Sequence, residues 1–261
     1  MSDPEEYATR GSRRTTRRQT LRFVTAAAVI PALAVVLPRL TMAAESGRFS
    51  PSTAPMLLSR QIIRELPDGA QIVVKRVWRV RFAPTATGFS VIGQQVAVDV
   101  KAPPALEFLA KLEEQREETN LLPLTLSAAG MITANSNLAV IDMANDELVQ
   151  RAITGAAERI EGIELGPNAE GLDQKFLSSL QGSGAELASK VPRDLFHPQQ
   201  SYWQDEHEID LPQGLTGTVL VIFEARMNAA GDCMERVERR VISSVGKSMR
   251  TSSEIWELTS E

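Results

Sequence analysis

Two histidines, one cysteine and scattered serines are the raw material from which this 261-residue chain could build a catalytic or metal-binding site. His197 and His207 are ten residues apart, and the stretch around them also holds Asp205, Glu206, Glu208 and Asp210. Imidazole with carboxylates is a donor set for a divalent ion. Adjacent residues do not converge on one point in a helix or a strand, however, and neither His-x₃-His nor His-Glu-x-x-His spacing occurs. The stretch therefore reads as an acidic surface loop ahead of a strand. A Ser-His-Asp triad is arithmetically open to Ser201 or Ser243, but nothing in the pattern selects either. Cys233 has no local partner and lies in a strand-like stretch, where a small buried hydrophobe is the expected role. Gly182-Ser183-Gly184 lacks the final glycine of a dinucleotide loop and reads as a helix break. The carboxylates Glu113, Glu114, Glu117 and Glu118 read as the solvated face of a helix. Asp142 and Asp146 read as helix caps. We expect no catalytic set, no cofactor and no metal, which leaves a hydrolase the least supported function.

Arginines are better placed to do something. Arg76, Arg79 and Arg81 fall in one strand-like run, and Arg236, Arg239 and Arg240 in another. If the two strands are neighbours, their outer faces form a basic stripe, centred on Arg76, Arg79, Arg81, Arg236 and Arg240, that could bind an anionic headgroup, a glycan or a protein. The alternative is pairing with Glu224, Glu235, Glu238 and Glu254 across strands.

The elements that must position these residues follow from periodicity. Gln71 to Phe82 alternates, with Ile72, Val74, Trp78, Val80 and Phe82 on one parity and Lys75, Arg79 and Arg81 on the other. Phe89 to Val100 is the returning strand. Its apolar residues change parity between Val91 and Val96, which predicts a bulge at Gly93-Gln94 and hence a curved sheet. Pro103-Pro104 opens a helix with a stripe of Ala105, Leu109, Leu112 and Arg116. Leu121 to Leu126 and Gly130 to Thr133 form a hairpin around Ser127-Ala128-Ala129. Two further helices are expected over Asp146 to Ile160 and Leu172 to Val191. The end of the chain reads as a three-stranded meander: Thr216 to Met227, Cys233 to Val245 and Ser248 to Leu258. Strands before and after helices, without βαβ alternation, predict an α+β fold. We expect a curved antiparallel sheet of about six to eight strands, covered on one face by three helices, in a single domain over 56–261.

The beginning of the chain reads differently. A polar, arginine-rich segment up to Arg22 precedes an apolar run from Phe23 to Leu37, then Arg39 and the small residues before Ala43 and Ala44. That is the build of a secretory signal peptide over 1–43, followed by a flexible leader over 44–55. Thr16-Arg17-Arg18-Gln19-Thr20-Leu21-Arg22 resembles the twin-arginine export motif, with Arg17, Arg18 and Leu21 in register and Thr20 where Phe is usual. The resemblance implies export of an already folded domain, with the twin-arginine or the general secretory machinery as partner. The mature domain is then periplasmic and does not span the membrane; an uncleaved anchor is the alternative. Residues 1–43 carry seven arginines and three acidic residues. Set against the chain's 28 Lys+Arg and 33 Asp+Glu, that leaves 21 against 30, a net charge of −9 for the mature domain. Such a domain is unsuited to nucleic acid or an anionic membrane surface. The expectation is a non-enzymatic exported protein holding a lipid-like or apolar ligand between sheet and helices. A structural or assembly protein of the envelope is the alternative.

Overall fold

The protein was studied as a computed structural model, which describes residues 42–43, 48–134, 140–141, 154, 175–182, 190–211 and 214–261. Twelve strands lie within that range. The N-terminal series is β1 (Met42–Ala43), β2 (Met56–Glu65), β3 (Gln71–Thr85), β4 (Gly88–Lys101), β5 (Leu124–Ser127) and β6 (Ile132–Ala134). After the two-residue pieces β7 (Val140–Ile141) and β8 (Val191–Pro192) come β9 (Gln200–Leu211), β10 (Leu215–Met227), β11 (Met234–Val245) and β12 (Ser248–Ser260). Ten of them make one sheet in the order β1-β9-β10-β11-β12-β2-β3-β4-β5-β6, every pair antiparallel, while β7 and β8 pair separately and in parallel. The sheet is thus two meanders, β2 to β6 and β9 to β12, joined where β12 pairs with β2.

This corrects the expected architecture. Apart from two-residue β1, the main sheet has nine strands and curls into a half-barrel, with only short helices in place of three that cover it. The first expected helix exists as α1 (Glu107–Gln115), entered through a 3₁₀ turn at Pro104–Leu106, and buries none of its residues. The second, over Asp146 to Ile160, lies outside the described residues except at 154. Of the third, 175–182 is described and helical, whereas Lys190 and Val191, also described, are not, Val191 opening β8. The strands hold the fold instead. Between 10 and 15 residues long in β2, β3, β4, β9, β10, β11 and β12, they are rich in β-branched and aromatic residues that pack well on a pleated surface.

Period-2 alternation gives the sheet one buried, concave face. Trp78, Val80 and Phe82 of β3 lie on it, as do Val219, Val221 and Phe223 of β10, Val237, Val241 and Val245 of β11, and Trp256 and Leu258 of β12. The hairpin between β5 and β6 and the meander from β10 to β12 match their sequence patterns. The β11–β12 turn is two residues long, and Gly246 takes the left-handed conformation (φ 59°) that such a turn requires. The core also reaches back to Phe49, whose ring meets Phe82, Phe89 and His197 edge-on.

The expected bulge is present in β4, but three residues downstream of Gly93. Val77 pairs with Ala97 and Trp78 with Gln95, so Val96 is the extra residue. The displacement keeps Val91 and Gln95 on the concave side and returns Val98 and Val100 to it after the bulge. Gly93 serves a different purpose. A Cβ there would stand 2.1 Å from the carbonyl oxygen of Arg79, so the two strands approach at a distance that only glycine permits. We predict that Gly93→Ala lowers stability by about 1–3 kcal/mol, the usual cost of forcing atoms into packed structure. Urea denaturation reads this directly, and a variant as stable as the parent would refute the close approach.

Candidate functional site

The concave face is not uniformly apolar. The same alternation that points Trp78 and Val80 inward also points Arg76 inward, because 76 shares their parity. Arg239 and Ser243 of β11 and Arg250, Ser252 and Glu254 of β12 are buried on that face by the same rule. Cross-strand register sets them side by side: Arg239 opposite Glu254, Ser243 opposite Arg250, and Trp256 opposite Arg60, which in turn faces Arg76. A band of charge and hydroxyl thus crosses the inside of the sheet.

Each member of the band has work to do. Glu254 sits between two guanidiniums. Arg60 Nε donates to its Oε1 at 2.8 Å, and Arg239 donates to its Oε2 from the other side. Both side chains of the Arg239–Glu254 pair are 1% exposed. Burial pushes the Arg239 guanidinium below its ordinary value; Glu254 opposes that fall and Arg60 adds to it. Arg239 also donates to the carbonyl of Lys190, the residue before β8. Arg60 lies over the ring of Trp256, 4.9 Å from its centroid, a cation–π contact.

Arg76 and Arg250 are docking points for the helices. Arg76 donates to Gln95 Oε1, to the carbonyls of Glu113 and Arg116 at the end of α1, and to the Glu113 carboxylate at 2.8 Å. Cationic donors at helix C-terminal carbonyls satisfy groups the helix itself leaves open. Its hydrogen bonds with Arg116, aided by those with Arg76 and opposed by partial burial, hold the Glu113 carboxyl below its usual range. Arg250 donates to Ser178 Oγ and Gln181 Oε1 of the 175–182 helix, which packs Phe176, Leu177 and Leu180 into the core. At the other end of the sheet His207 Nε2 and Asp205 Oδ2 are 2.9 Å apart, on residues cross-strand from buried Val219 and Val221.

The centre of the band is aromatic. Trp78 and Trp256 are fully buried, their ring centroids 6.5 Å apart and their planes 23° from parallel. Neither indole N–H has a hydrogen-bond partner among the described residues, nor has the hydroxyl of Ser252. A buried donor left unmade costs about 1–3 kcal/mol. Two in one stacked pair are therefore a feature to be explained.

The sequence-derived candidates are distributed as follows. Arg76 is buried on the concave face. Arg79 and Arg81 are exposed, and Arg79 pairs with Glu261. Arg236 pairs with Glu257 across to β12 and with Glu238 of its own strand, and Arg240 pairs with Glu224 across to β10, all part-exposed. Strands β3 and β11 are separated by β12 and β2, so the two arginine groups do not adjoin. His197 is buried against Phe49, and no group of three or more His, Cys, Asp or Glu suited to a metal occurs among the described residues. Ser243 is buried beside Arg250, and Ser201 lies in β9. Burial, with Asp232 nearby, pushes the Cys233 thiol up to about 12, so it is neither thiolate nor nucleophile at neutral pH. Ser183, Gly184, Asp142, Asp146 and the signal residues Arg17, Arg18 and Leu21 lie outside the described residues, whereas Ala43 is paired with Gln200. Sequence reasoning missed Arg60, Arg250 and Glu254 as band members. Two of them lie in strands whose inward positions are themselves charged.

No helix among the described residues is long and apolar enough to cross a membrane, which says nothing of a β-barrel. No family model matches the chain, and no curated protein matches it. Among solved structures, a lipovitellin chain from work on its lipid–protein interactions is similar, with a TM-score of 0.30 and 9% sequence identity over 79% of this chain. This chain spans about a quarter of that one, 25% of its length, and at these values the likeness carries no argument.

The charged band yields one clear expectation. Replacing Glu254 with Gln leaves two buried guanidiniums without their shared carboxylate, and breaking a buried pair in this way costs about 3–5 kcal/mol. Thermal unfolding of Glu254→Gln should show a large loss of Tm, and an unchanged Tm would mean the guanidiniums are solvated in solution.

Proposed function

We propose that this is an exported periplasmic protein without enzymatic activity, and that it holds a lipid-like ligand against the concave face of its curled sheet. The observation that carries the reading is the make-up of that face. Trp78, Phe82, Phe223 and Trp256 offer apolar area, while Arg60, Arg76 and Arg239 place charge beside them. An amphiphile has those two requirements, whereas a purely apolar ligand has no use for the charge. Among the described residues the cover over the sheet includes the 175–182 helix and the 190–197 segment, fixed in part by polar contacts of Arg250 and Arg239, which can reform after a ligand enters.

Export rests on the arginine-rich start, the apolar run and the twin-arginine-like Arg17-Arg18. Residues 1–43 are then the signal, 44–55 the leader and 56–261 the domain, with the export machinery as first partner. Cleavage after Ala43 also removes β1, whose two residues pair with Gln200 and Tyr202 at the edge of β9. Intact-mass spectrometry of the protein taken from the periplasm without detergent tests both parts together. The expected result is a chain beginning near residue 44 that carries about one lipid per molecule. A ligand-free spectrum would count against carriage, and a full-length mass against cleavage.

One observation favours the second reading, a structural or assembly protein of the envelope. Helix α1 holds Phe108, Leu109 and Leu112 well exposed, with Phe108 at 72%, while its end is locked to the sheet through Arg76. A rigidly mounted apolar stripe suits contact with another protein. A photo-crosslinker in place of Phe108 should then capture one discrete envelope partner, and capture of none would remove the support.

A further inference from the structure

We infer that the ligand on the concave face is an acidic amphiphile, and that its headgroup oxygens accept hydrogen bonds from the indole N–H groups of Trp78 and Trp256 beside Arg60. The inference rests on the carriage reading above and gives it a chemical class.

Trp78 and Trp256 are buried to within 1% of completely, and both N–H groups lack partners among the described residues. The rings cannot satisfy one another, because planes only 23° from parallel direct neither N–H into the other's π face. None of the polar neighbours that the register sets beside them bonds to either N–H. Arg60 and Arg76 are donors only. Glu254 is turned to the guanidiniums, Arg60 at Oε1 and Arg239 at Oε2. Gln95, cross-strand from Trp78, accepts from Arg76 and from the backbone N–H of Glu118. What the site lacks is an acceptor supplied from outside, and an oxyanion is the acceptor that two N–H donors beside a guanidinium favour most. A hydroxyl headgroup gains less from such a site, because it brings a proton of its own and carries no charge for Arg60. The shared chemistry is a carboxylate or phosphate on an acyl or alkyl chain, the chain lying over the apolar part of the concave face.

The test compares three probes that share one chain length and differ at the head: dodecanoate, dodecyl phosphate and dodecan-1-ol. Each is titrated into the full-length protein, and into the form isolated from the periplasm, with tryptophan fluorescence as readout. The inference predicts that at least one of the two acids binds ten-fold or more tighter than the alcohol, and which acid wins separates a fatty-acid-like from a phospholipid-like source. Equal affinity of acids and alcohol would overturn the headgroup assignment while leaving carriage intact. Failure of all three to bind would overturn carriage itself and the assignment with it. Trp256→Phe, which removes one N–H and keeps a ring, should narrow the preference for the acid several-fold without weakening the alcohol. The wild-type comparison stands even if that variant folds poorly.

Discussion

Glu254 is gripped by Arg60 from β2 and Arg239 from β11 at the seam where the two meanders meet, and the rest of the sheet depends on that junction. Strands β2 to β6 and β9 to β12 each form by local hairpin pairing, but β12 and β2 are brought together from nearly opposite ends of the domain. Such a long-range pairing has little local encouragement and pays the full cost of closing the chain between its strands. Backbone hydrogen bonds are available to any strand in any register. The Glu254 carboxylate meets both guanidiniums only in one register, and a slip of one residue at the seam would turn Arg60 away from the face that carries Glu254 and Arg239. The buried triad thus specifies the seam's register rather than simply adding stability, a use for which buried polar groups are known.

The same placement explains why the helices are accessories. In a sheet with a wholly apolar concave face, amphipathic helices would be recruited by area alone. Here Arg76 takes the C-terminal carbonyls of α1 and Arg250 takes Ser178 and Gln181, so each helix is docked by a buried cation at a defined spot. Docked in that manner, α1 turns its apolar stripe outward, which is the reverse of what its periodicity implies. The charges that set the register and seat the helices also surround the Trp78–Trp256 pair, so framework and candidate site are built from one set of residues.

Strands whose inward row is mostly apolar were legible in the sequence, and β2 and β9, whose inward rows are interrupted by charge, were not. Val219, Val221 and Phe223 declare β10, and Trp78, Val80 and Phe82 declare β3, because three successive inward positions in each are large and apolar. In β9 the inward row reads Trp203, Asp205, His207, Ile209, Leu211, and the acidic pair in its middle makes a strand look like a loop. In β2 the inward row includes Arg60, so Leu57 and Ile63 on the outer face carry as much apolar signal as Leu58 on the inner one. Arg76 was grouped with Arg79 and Arg81 by nearness in sequence, although parity sets it apart. Helices were overcounted for a related reason: apolar spacing of four describes what a helix could bury, not whether a surface exists to receive it. The Trp78–Trp256 pair was out of reach of sequence reasoning, since its members lie 178 positions apart and meet only because β2 intervenes between β3 and β12.

Acid recognition on this face depends on two buried indole N–H groups that await an acceptor from outside the protein. Their proton resonances report on it directly. In a spectrum of the protein labelled with nitrogen-15 at its three tryptophans, added dodecanoate should move the Nε1–H signals of Trp78 and Trp256 downfield, as new hydrogen bonds form. The signal of Trp203, stacked on Phe223 in the apolar part of the face, gains no hydrogen bond and should show no comparable downfield movement. If Trp78 and Trp256 keep their positions at saturating dodecanoate, the claim is contradicted.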